Sequence, residues 1–515
     1  MRLFTTVVAL RSFLGAQKQQ RSPSRVGFVP TMGNLHPGHL NLIQRARAEN
    51  SLVVVSIFVN PLQFEPNEDF GQYPRTLEQD RDLCESAQVD VIFAPQADEF
   101  LGTAQSPLEA QSRTWVSPPT EMVTGLCGRS RPHHFSGVTT VVAQLLNAVQ
   151  PDRAYFGQKD AQQLAIIRRL VGDLNYPVEI VACPIVREES GLAYSSRNRY
   201  LSPDQTMQAA ILYQSLCAAE RVFRQGHHQS SAIKQAALEK LSAVPELRLD
   251  YLELVDPYTL QPLEVVDEIG LIAVAAYLGK TRLIDNQLLR NRRPILAIDG
   301  PAGAGKSTVT RKLAQVLGLM YLDTGAMYRA LTWLALQRDL TLDDEPAVAE
   351  LAHRCKIQLI PQADYLQVLI DQEDVTEAIR SQQVTANVST IAAQAAVRRA
   401  MVDQQRAYGR RGGIVAEGRD IGMYVFPDAE LKIFLTASVK ERSQRRQLEL
   451  QQKGHQGISL AEIEQSILLR DQKDSSRPIA PLKKAPDAIE IQTDGLSIEE
   501  VTDHIIQLYR ARNLQ

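Results

Sequence analysis

The 515-residue sequence has little cysteine, few aromatic residues and almost no net charge. Its five cysteines (Cys84, Cys127, Cys183, Cys217 and Cys355) are scattered and include no Cys-x-x-Cys pair. That speaks against a disulfide framework or a cysteine zinc module, and an odd, scattered set suits a reducing cytoplasm. The formal charge is −3, from 56 basic and 59 acidic side chains. No global field therefore points to nucleic acid or an anionic membrane as a partner. No apolar run reaches the length of a membrane-spanning helix, and neither repeats nor low-complexity tracts occur. Acidic residues are absent before Glu49, whereas Arg2, Arg11, Lys18, Arg21 and Arg25 precede it. Such a basic amino end is compatible with a transit peptide, but a strand and motif starting at Val26 leave little to remove.

What is present is an ordinary globular composition, 44% hydrophobic and 22% charged, long enough for roughly three or four domain-sized pieces. Short β-branched runs alternate with helix-length segments. "RVGFVP" reads as a buried strand, "HLNLIQRARAEN" as an amphipathic helix and "LVVVSIFV" as a second strand. This alternation predicts an α/β fold with a parallel sheet and crossover helices. The same grammar restarts at "PILAIDG", so a second α/β domain is expected there. The polar, basic stretch Asp285–Pro294 between them reads as a linker. The motif-poor, helix-rich region from Asp204 to Asp250 reads as the start of a smaller subdomain closing the first unit.

"GPAGAGKST", Gly300 to Thr308, fits G-x-x-x-x-G-K-[ST], follows an apolar strand and opens a helix. Gly300, Gly303 and Gly305 let backbone N–H groups converge on phosphate, with Ser307 and Thr308 at the helix start. Lys306 can reach the β- and γ-phosphates, and the Ser307 hydroxyl can bind Mg²⁺. Downstream, "YLDTGAMYRA" supplies Thr324, Tyr328 and Arg329, "IVAEGRDIG" supplies Glu417, Arg419 and Asp420, and "LLRDQKDSSRPIAPL" supplies Arg470, Asp474 and Arg477. Arg442, Arg445 and Arg446 follow one another on an expected helix. A lone arginine is more often a solvated surface charge. Arginines set beside aspartates in short loops after strands suit phosphoryl transfer between two anions.

In order and nearly end to end, these motifs over residues 294–515 resemble the bacterial cytidylate kinases. The resemblance implies a P-loop nucleoside monophosphate kinase fold acting on CMP and dCMP. It gives Arg329, Arg419 and Arg477 the CMP phosphate, Ser389, Arg398 and Asp420 the cytosine edge, and Arg470 and Asp474 the sugar. Thr324 and Tyr328 belong to the same acceptor site. The segment Ser381–Met401 matches the family's nucleotide-binding insert. Glu417 is implied as an outer Mg²⁺ ligand, at a position where many relatives carry aspartate. An aspartate can accept from the cytosine amino group, which uracil lacks. Preference for UMP stays open at this point.

The first half has no P-loop. It carries "PTMGNLHPGH" directly after a strand, with His36 and His39 around a helix start, and later "AYSSRNRYL" with Ser195, Ser196 and Arg197. Imidazoles at a helix N-terminus can donate to phosphates; metal binding is the rival reading of the pair. An early His-x-x-His element and a late Ser/Arg loop mark nucleotidyl transfer on a Rossmann-like sheet. A cytidylyltransferase, an aminoacyl-tRNA synthetase fragment or a binding module that has lost activity remain alternatives. Of His133 and His134, one is expected to order a loop and the other to be exposed.

Five ordered motifs, "PTMGNLHPGH", "SIFVNPLQF", "RPHHFSGVTTVV", "YFGQKDAQQL" and "GLAYSSRNRYLS", resemble pantoate–β-alanine ligase (pantothenate synthetase) over residues 1–284. The smaller subdomain then spans about 185–284, and 285–293 is the linker. The resemblance implies ATP contacts along Met32, Gly33, Asn34, Leu35, His36, Pro37, Gly38 and His39, with His39 as acid. It implies further ATP contacts from Gly157, Gln158, Lys159, Asp160, Val186, Tyr194, Ser195, Ser196 and Arg197. Asp160 is assigned near Mg²⁺ or ribose, Val186 presents backbone to adenine, and Gln63 and Gln163 hold pantoate and β-alanine. The fused order resembles a cyanobacterial arrangement in a bacterial cytoplasm. ATP and Mg²⁺ serve both halves, and the resemblance implies a homodimer through the ligase half. The two chemistries share no intermediate, so no coupling is expected.

Overall fold

Runs such as Leu52–Ile57 are buried on both faces, as a strand needs when helices cover both sides of a sheet. The computed structural model describes residues 1–20, 25–65, 68–102, 114–362, 365–452, 459–477 and 480–512. It divides into two units, Met1–Asn291 and Arg292–Gln515.

The first unit has strands β1 (Arg2–Phe4), β2 (Val26–Thr31), β3 (Leu52–Ile57), β4 (Val91–Phe93), β5 (Arg153–Gly157) and β6 (Glu179–Cys183). Among the described residues they form one parallel sheet in the order β1-β4-β3-β2-β5-β6. Alternate residues feed two cores. Val26, Phe28, Leu52 and Val54 pack with Leu10, Leu14, Val141 and Leu145, while Val29, Val53 and Val55 pack with Leu42, Ile43 and Ala46. At the basic amino end, Arg2–Phe4 pair with Val91–Phe93 and Val7–Gln20 are helical, while Arg21 lies outside the described residues. The order reverses between β2 and β5, which opens a crevice at their carboxyl ends.

Beyond β6 come helices Pro203–Ala209, Ile211–Arg224 and Ser230–Leu241, then strands β7 (Leu247–Val255), β8 (Ile269–Leu278) and β9 (Thr281–Arg290). These three strands form an antiparallel sheet in chain order. One face takes the helices through Leu212, Leu216 and Phe223. The other packs Tyr251, Leu271 and Ala273 on Leu126, Phe135 and Ile166. The expected linker 285–293 is corrected here: residues 285–290 complete β9 in register with β8. Asp285 is 3% exposed and ion-paired with Arg187 at 2.5 Å. Asn286 donates to the Gln158 and Lys159 carbonyls at 3.0 and 2.8 Å. Polar residues looked like a linker because their partners lie about a hundred positions away.

The second unit has strands β10 (Arg293–Asp299), β11 (Met320–Asp323), β12 (Ile357–Pro361), β13 (Leu366–Ile370), β14 (Glu373–Asp374), β15 (Gly412–Glu417), β16 (Leu431–Thr436) and β17 (Ile489–Gln492). A parallel sheet in the order β11-β15-β10-β16-β17 puts β10 at its centre. The antiparallel β12-β13-β14 meander is an element that the α/β alternation did not predict.

Gly137, in the helix His134–Val149, is one of the places where the first unit leaves no room for a side chain. A Cβ there would lie 2.1 Å from the Leu62 carbonyl oxygen, in the turn that ends at Gln63. Gly137→Ala must push that turn away, at a cost of about 1–3 kcal/mol. We expect its thermal unfolding to begin earlier and turnover at the first unit to fall, with turnover at the second retained. Wild-type unfolding and activity would contradict the packing described.

Candidate active sites

In the first unit, residues 32–39 leave the end of β2 and enter the helix Pro37–Glu49. Gly33 and Asn34 adopt left-handed backbone, φ +81° and +50°. Asp80, 1% exposed, fixes this turn. Its carboxylate accepts the Asn34 and Leu35 N–H groups at 2.9 and 2.7 Å. His36 caps the helix, its Nδ1 accepting the Gly38 N–H at 3.2 Å, which leaves the proton of the neutral ring on Nε2. The His36 and His39 rings lie 4.0 Å apart, and Tyr194 stacks on His36 at 6.3 Å. Burial, then Lys159, lowers His36 to about 4. Burial, then His36, holds His39 well below the usual range. Both rings are neutral near pH 7, and His39 Nδ1 has no hydrogen-bond partner among the described residues. Among the described residues no group of three or more His/Cys/Asp/Glu side chains could hold a metal ion, so His36 and His39 have no third ligand of that kind beside them.

The crevice gathers the remaining residues. Lys159 and Asp160 lie on the 3-10 turn after β5. With Gln163, Ser195 and Arg197 they line one cavity, which Arg131, His134 and Arg282 also line. Ser196 donates to the Asn34 carbonyl at 3.5 Å, tying the late loop to the early one. Gln63 sits beside Met32, its Nε2 2.9 Å from the thioether sulfur, and its Oε1 accepts from Asn60 at 3.1 Å. Val186 spends its carbonyl on the Tyr194 N–H at 3.0 Å. Arg197 pairs with Asp69 through two hydrogen bonds, 3.1 and 2.9 Å. Pro37 and Asp160 are exposed, whereas Gly38, Gly157 and Gln158 are half-buried. His134 is buried with Nδ1 2.8 Å from the Gln63 carbonyl, and His133 is exposed, as expected of that pair. Sequence reasoning missed Asp69, Asp80 and Arg282, for which no motif or spacing gave a signal.

In the second unit the loop after β10 turns through Gly300, Gly303 and Gly305, all at positive φ. A Cβ on Gly300 would meet the Leu435 carbonyl at 2.0 Å. The helix Lys306–Leu317 begins there, with Ser307 and Thr308 exposed. Lys306 is buried and donates to the Pro301 carbonyl at 2.7 Å. Glu417, at the end of β15, accepts from Tyr321 and lies beside Ser307. Its Oε2 has no hydrogen-bond partner among the described residues. A hydroxyl and an unsatisfied carboxylate oxygen beside a phosphate loop are hard oxygen donors that fit Mg²⁺.

Asp420 and Arg398 form a buried ion pair, with the guanidinium 5.7 Å from the centre of the Tyr328 ring. Arg419 bonds Asp474 at 2.9 Å, Arg329 bonds Asp323 at 3.0 Å and Thr324 bonds the Glu417 carbonyl at 2.7 Å. Ser389 is half-buried on the helix Gln382–Ala393, next in the chain to the helix carrying Arg398. Among the described residues, Arg470 Nε, Arg477 Nε and Nη2, and the Tyr328 hydroxyl lack partners. Burial and neighbouring arginines lower the proton affinity of Lys306, Arg470 and Arg477. Cations buried among cations with donors unspent mark a place for anions. Arg442 and Arg445 are spent on protein groups, the Ala302 and Thr493 carbonyls at 3.1 and 2.7 Å.

The comparisons agree with this division. The pantoate-beta-alanine ligase family model matches residues 2–288, and the cytidylate kinase model matches 296–511. A bifunctional pantoate ligase/cytidylate kinase of Trichormus variabilis is 57% identical over 99% of this chain and 99% of its own. One from Trichodesmium erythraeum is 57% identical over 99% and 98%. The crystal structure of pantothenate synthetase from Thermus thermophilus is 48% identical, covers 56% of this chain and 99% of its own, and superposes with a TM-score of 0.52. With both halves matched in one order and nearly full-length relatives sharing more than half their residues, the chain belongs to the bifunctional pantoate ligase/cytidylate kinase family.

Proposed function

We propose how two ATP-driven reactions divide among the residues of a chain that is a pantoate–β-alanine ligase in its first unit and a cytidylate kinase in its second. In the first, a pantoate carboxylate oxygen attacks the α-phosphorus of ATP and pyrophosphate leaves. The β-alanine amine then attacks the acyl carbon of pantoyl-adenylate, AMP leaves, and the nitrogen loses a proton. Gln63 and Gln163 hold pantoate and β-alanine, while residues 32–39, Gly157–Asp160, Val186 and Tyr194–Arg197 line the path of ATP. The observation that supports this assignment is the neutral His36/His39 pair beside Lys159 at the β2/β5 crevice. A neutral imidazole donates one hydrogen bond to phosphate without gaining or losing a proton near pH 7, and Lys159 supplies charge. Arg197 must exchange Asp69 for the triphosphate.

In the second unit the loop Gly300–Thr308 grips ATP, and the CMP phosphate oxygen attacks the γ-phosphorus with ADP leaving. Arg329, Arg419 and Arg477 hold the acceptor phosphate, Arg470 and Asp474 the sugar, and Arg398, Asp420 and Ser389 the base. The same pocket suits dCMP. The unspent donors of Arg470 and Arg477 support this reading. No general base is required, because the attacking oxygen is already anionic. Ser307 and Glu417 would hold Mg²⁺, which would supply positive charge against the phosphates, and Asp160 is the corresponding candidate in the ligase. Five free cysteines support a reducing bacterial cytoplasm. No helix among the described residues is long and apolar enough to cross a membrane. The family resemblance supports a homodimer through the ligase unit, which light scattering of the full chain measures.

Crossed variants of the full-length protein test the division. Lys159→Met should abolish AMP formation from pantoate and β-alanine while ADP and CDP still form from CMP. Lys306→Met should do the reverse. Loss of both activities in either variant would refute two self-contained sites. With both histidines neutral, the ligase kcat/KM for ATP should show no inflection from them between pH 6 and 8. An inflection near 6.5 that His36→Asn or His39→Gln removes would contradict their low pKa values. Asp420→Asn should lower the CMP-over-UMP preference on the order of 10-fold or more, the worth of one good base-edge contact. An unchanged ratio would remove Asp420 from base reading.

A further inference from the structure

Asp299 is the last residue of β10, immediately before Gly300, and is 5% exposed. No motif assigns it a role. Its carboxylate turns to the acceptor loop: Oδ1 accepts the Ile421 N–H and Oδ2 the Gly422 N–H, each at 2.8 Å. The other end of that loop is held by the same strand, with the Gly418 N–H donating to the Ile298 carbonyl at 3.1 Å. The segment Gly418–Gly422 is therefore stapled at both ends to the two residues that precede the phosphate loop. Arg419 and Asp420 stand between the staples.

We propose that Asp299 is a positioning residue for the acceptor nucleotide, setting Asp420 and Arg419 in register with the phosphate loop. The inference rests on the reading of Asp420 as base reader and Arg419 as phosphate holder. In-line transfer requires donor and acceptor phosphates aligned to within a fraction of an ångström. A carboxylate at the root of one loop that grips the backbone of the other fixes that alignment directly. A carboxylate serves where an amide does not, because two adjacent N–H donors need two acceptor oxygens. Burying the charge is costly, and burial does raise the Asp299 carboxyl to about 6. The paired backbone donors hold it ionised at neutral pH.

The test is steady-state kinetics of full-length Asp299→Asn with CMP, UMP and ATP varied in turn, beside wild type and Asp420→Asn. Asparagine keeps the shape but points an NH₂ at a backbone N–H. The expected result is a KM for CMP raised on the order of 10- to 100-fold and a reduced CMP-over-UMP ratio. The KM for ATP and the ligase rate of the same chain should stay near wild type. Gly422→Ala perturbs the contact from the loop side, since its Cβ would come within 3.4 Å of Asp299 Oδ2 and 3.1 Å of Lys432 Cδ. It should show the same split in milder form, and it decides the matter if Asp299→Asn does not fold. Unchanged CMP parameters in both variants overturn the proposal. So does an equal loss in CMP and ATP parameters, which would mark a merely structural role. If Asp420→Asn itself leaves the CMP-over-UMP ratio intact, the reading of the base site fails, and the role of Asp299 falls with it.

Discussion

A buried carboxylate that accepts two consecutive backbone N–H groups organises each half of this chain. Asp80 does it for Asn34 and Leu35, and Asp299 for Ile421 and Gly422. In both places the gripped segment carries a proposed site residue next to the anchor: His36 in the ligase, Asp420 in the kinase. Loops that meet phosphate cannot be held by apolar packing alone, because their N–H groups must face the ligand. An anchor on the opposite side of the turn supplies rigidity and leaves the front open. A carboxylate suits this place because charge-assisted hydrogen bonds are stronger than neutral ones, and because two acceptor oxygens satisfy both donors.

The binding groups themselves are held in a second way. Arg197 rests on Asp69, Arg419 on Asp474 and Lys306 on the Pro301 carbonyl. In the proposed binding mode, substrate phosphate would replace an existing partner rather than order a loose side chain, so less rotamer entropy would be lost on binding. Arg470 and Arg477 are the exceptions, with buried donors that have no partner among the described residues. The cost of that arrangement appears as their lowered proton affinity, and an incoming anion relieves it.

Much of this was legible in the sequence, for physical reasons that differ by region. The phosphate loop was legible because glycines at fixed spacing after an apolar strand leave few alternative structures. Strands such as Val26–Thr31 and Leu52–Ile57 were legible because double-sided burial writes a continuous apolar run. The strand β9 was not: Asp285 and Asn286 are buried through partners near Arg187 and Lys159, and local polarity reads as a linker. The β12-β13-β14 meander was also missed, because strands of five, five and two residues leave little periodicity. Asp80 and Asp299 carry no motif of their own. Their roles depend on which distant backbone N–H groups the fold brings to them, a property of tertiary structure.

The anchoring claim is tested most directly by amide hydrogen exchange on the full-length protein without ligands. The N–H groups of Asn34, Leu35, Ile421 and Gly422 should exchange as slowly as those of the strands that precede their loops, since each is bonded to a buried carboxylate. Exchange at the rate of solvent-exposed loop amides would show that these turns open freely. The carboxylates would then not be what holds the two sites in shape.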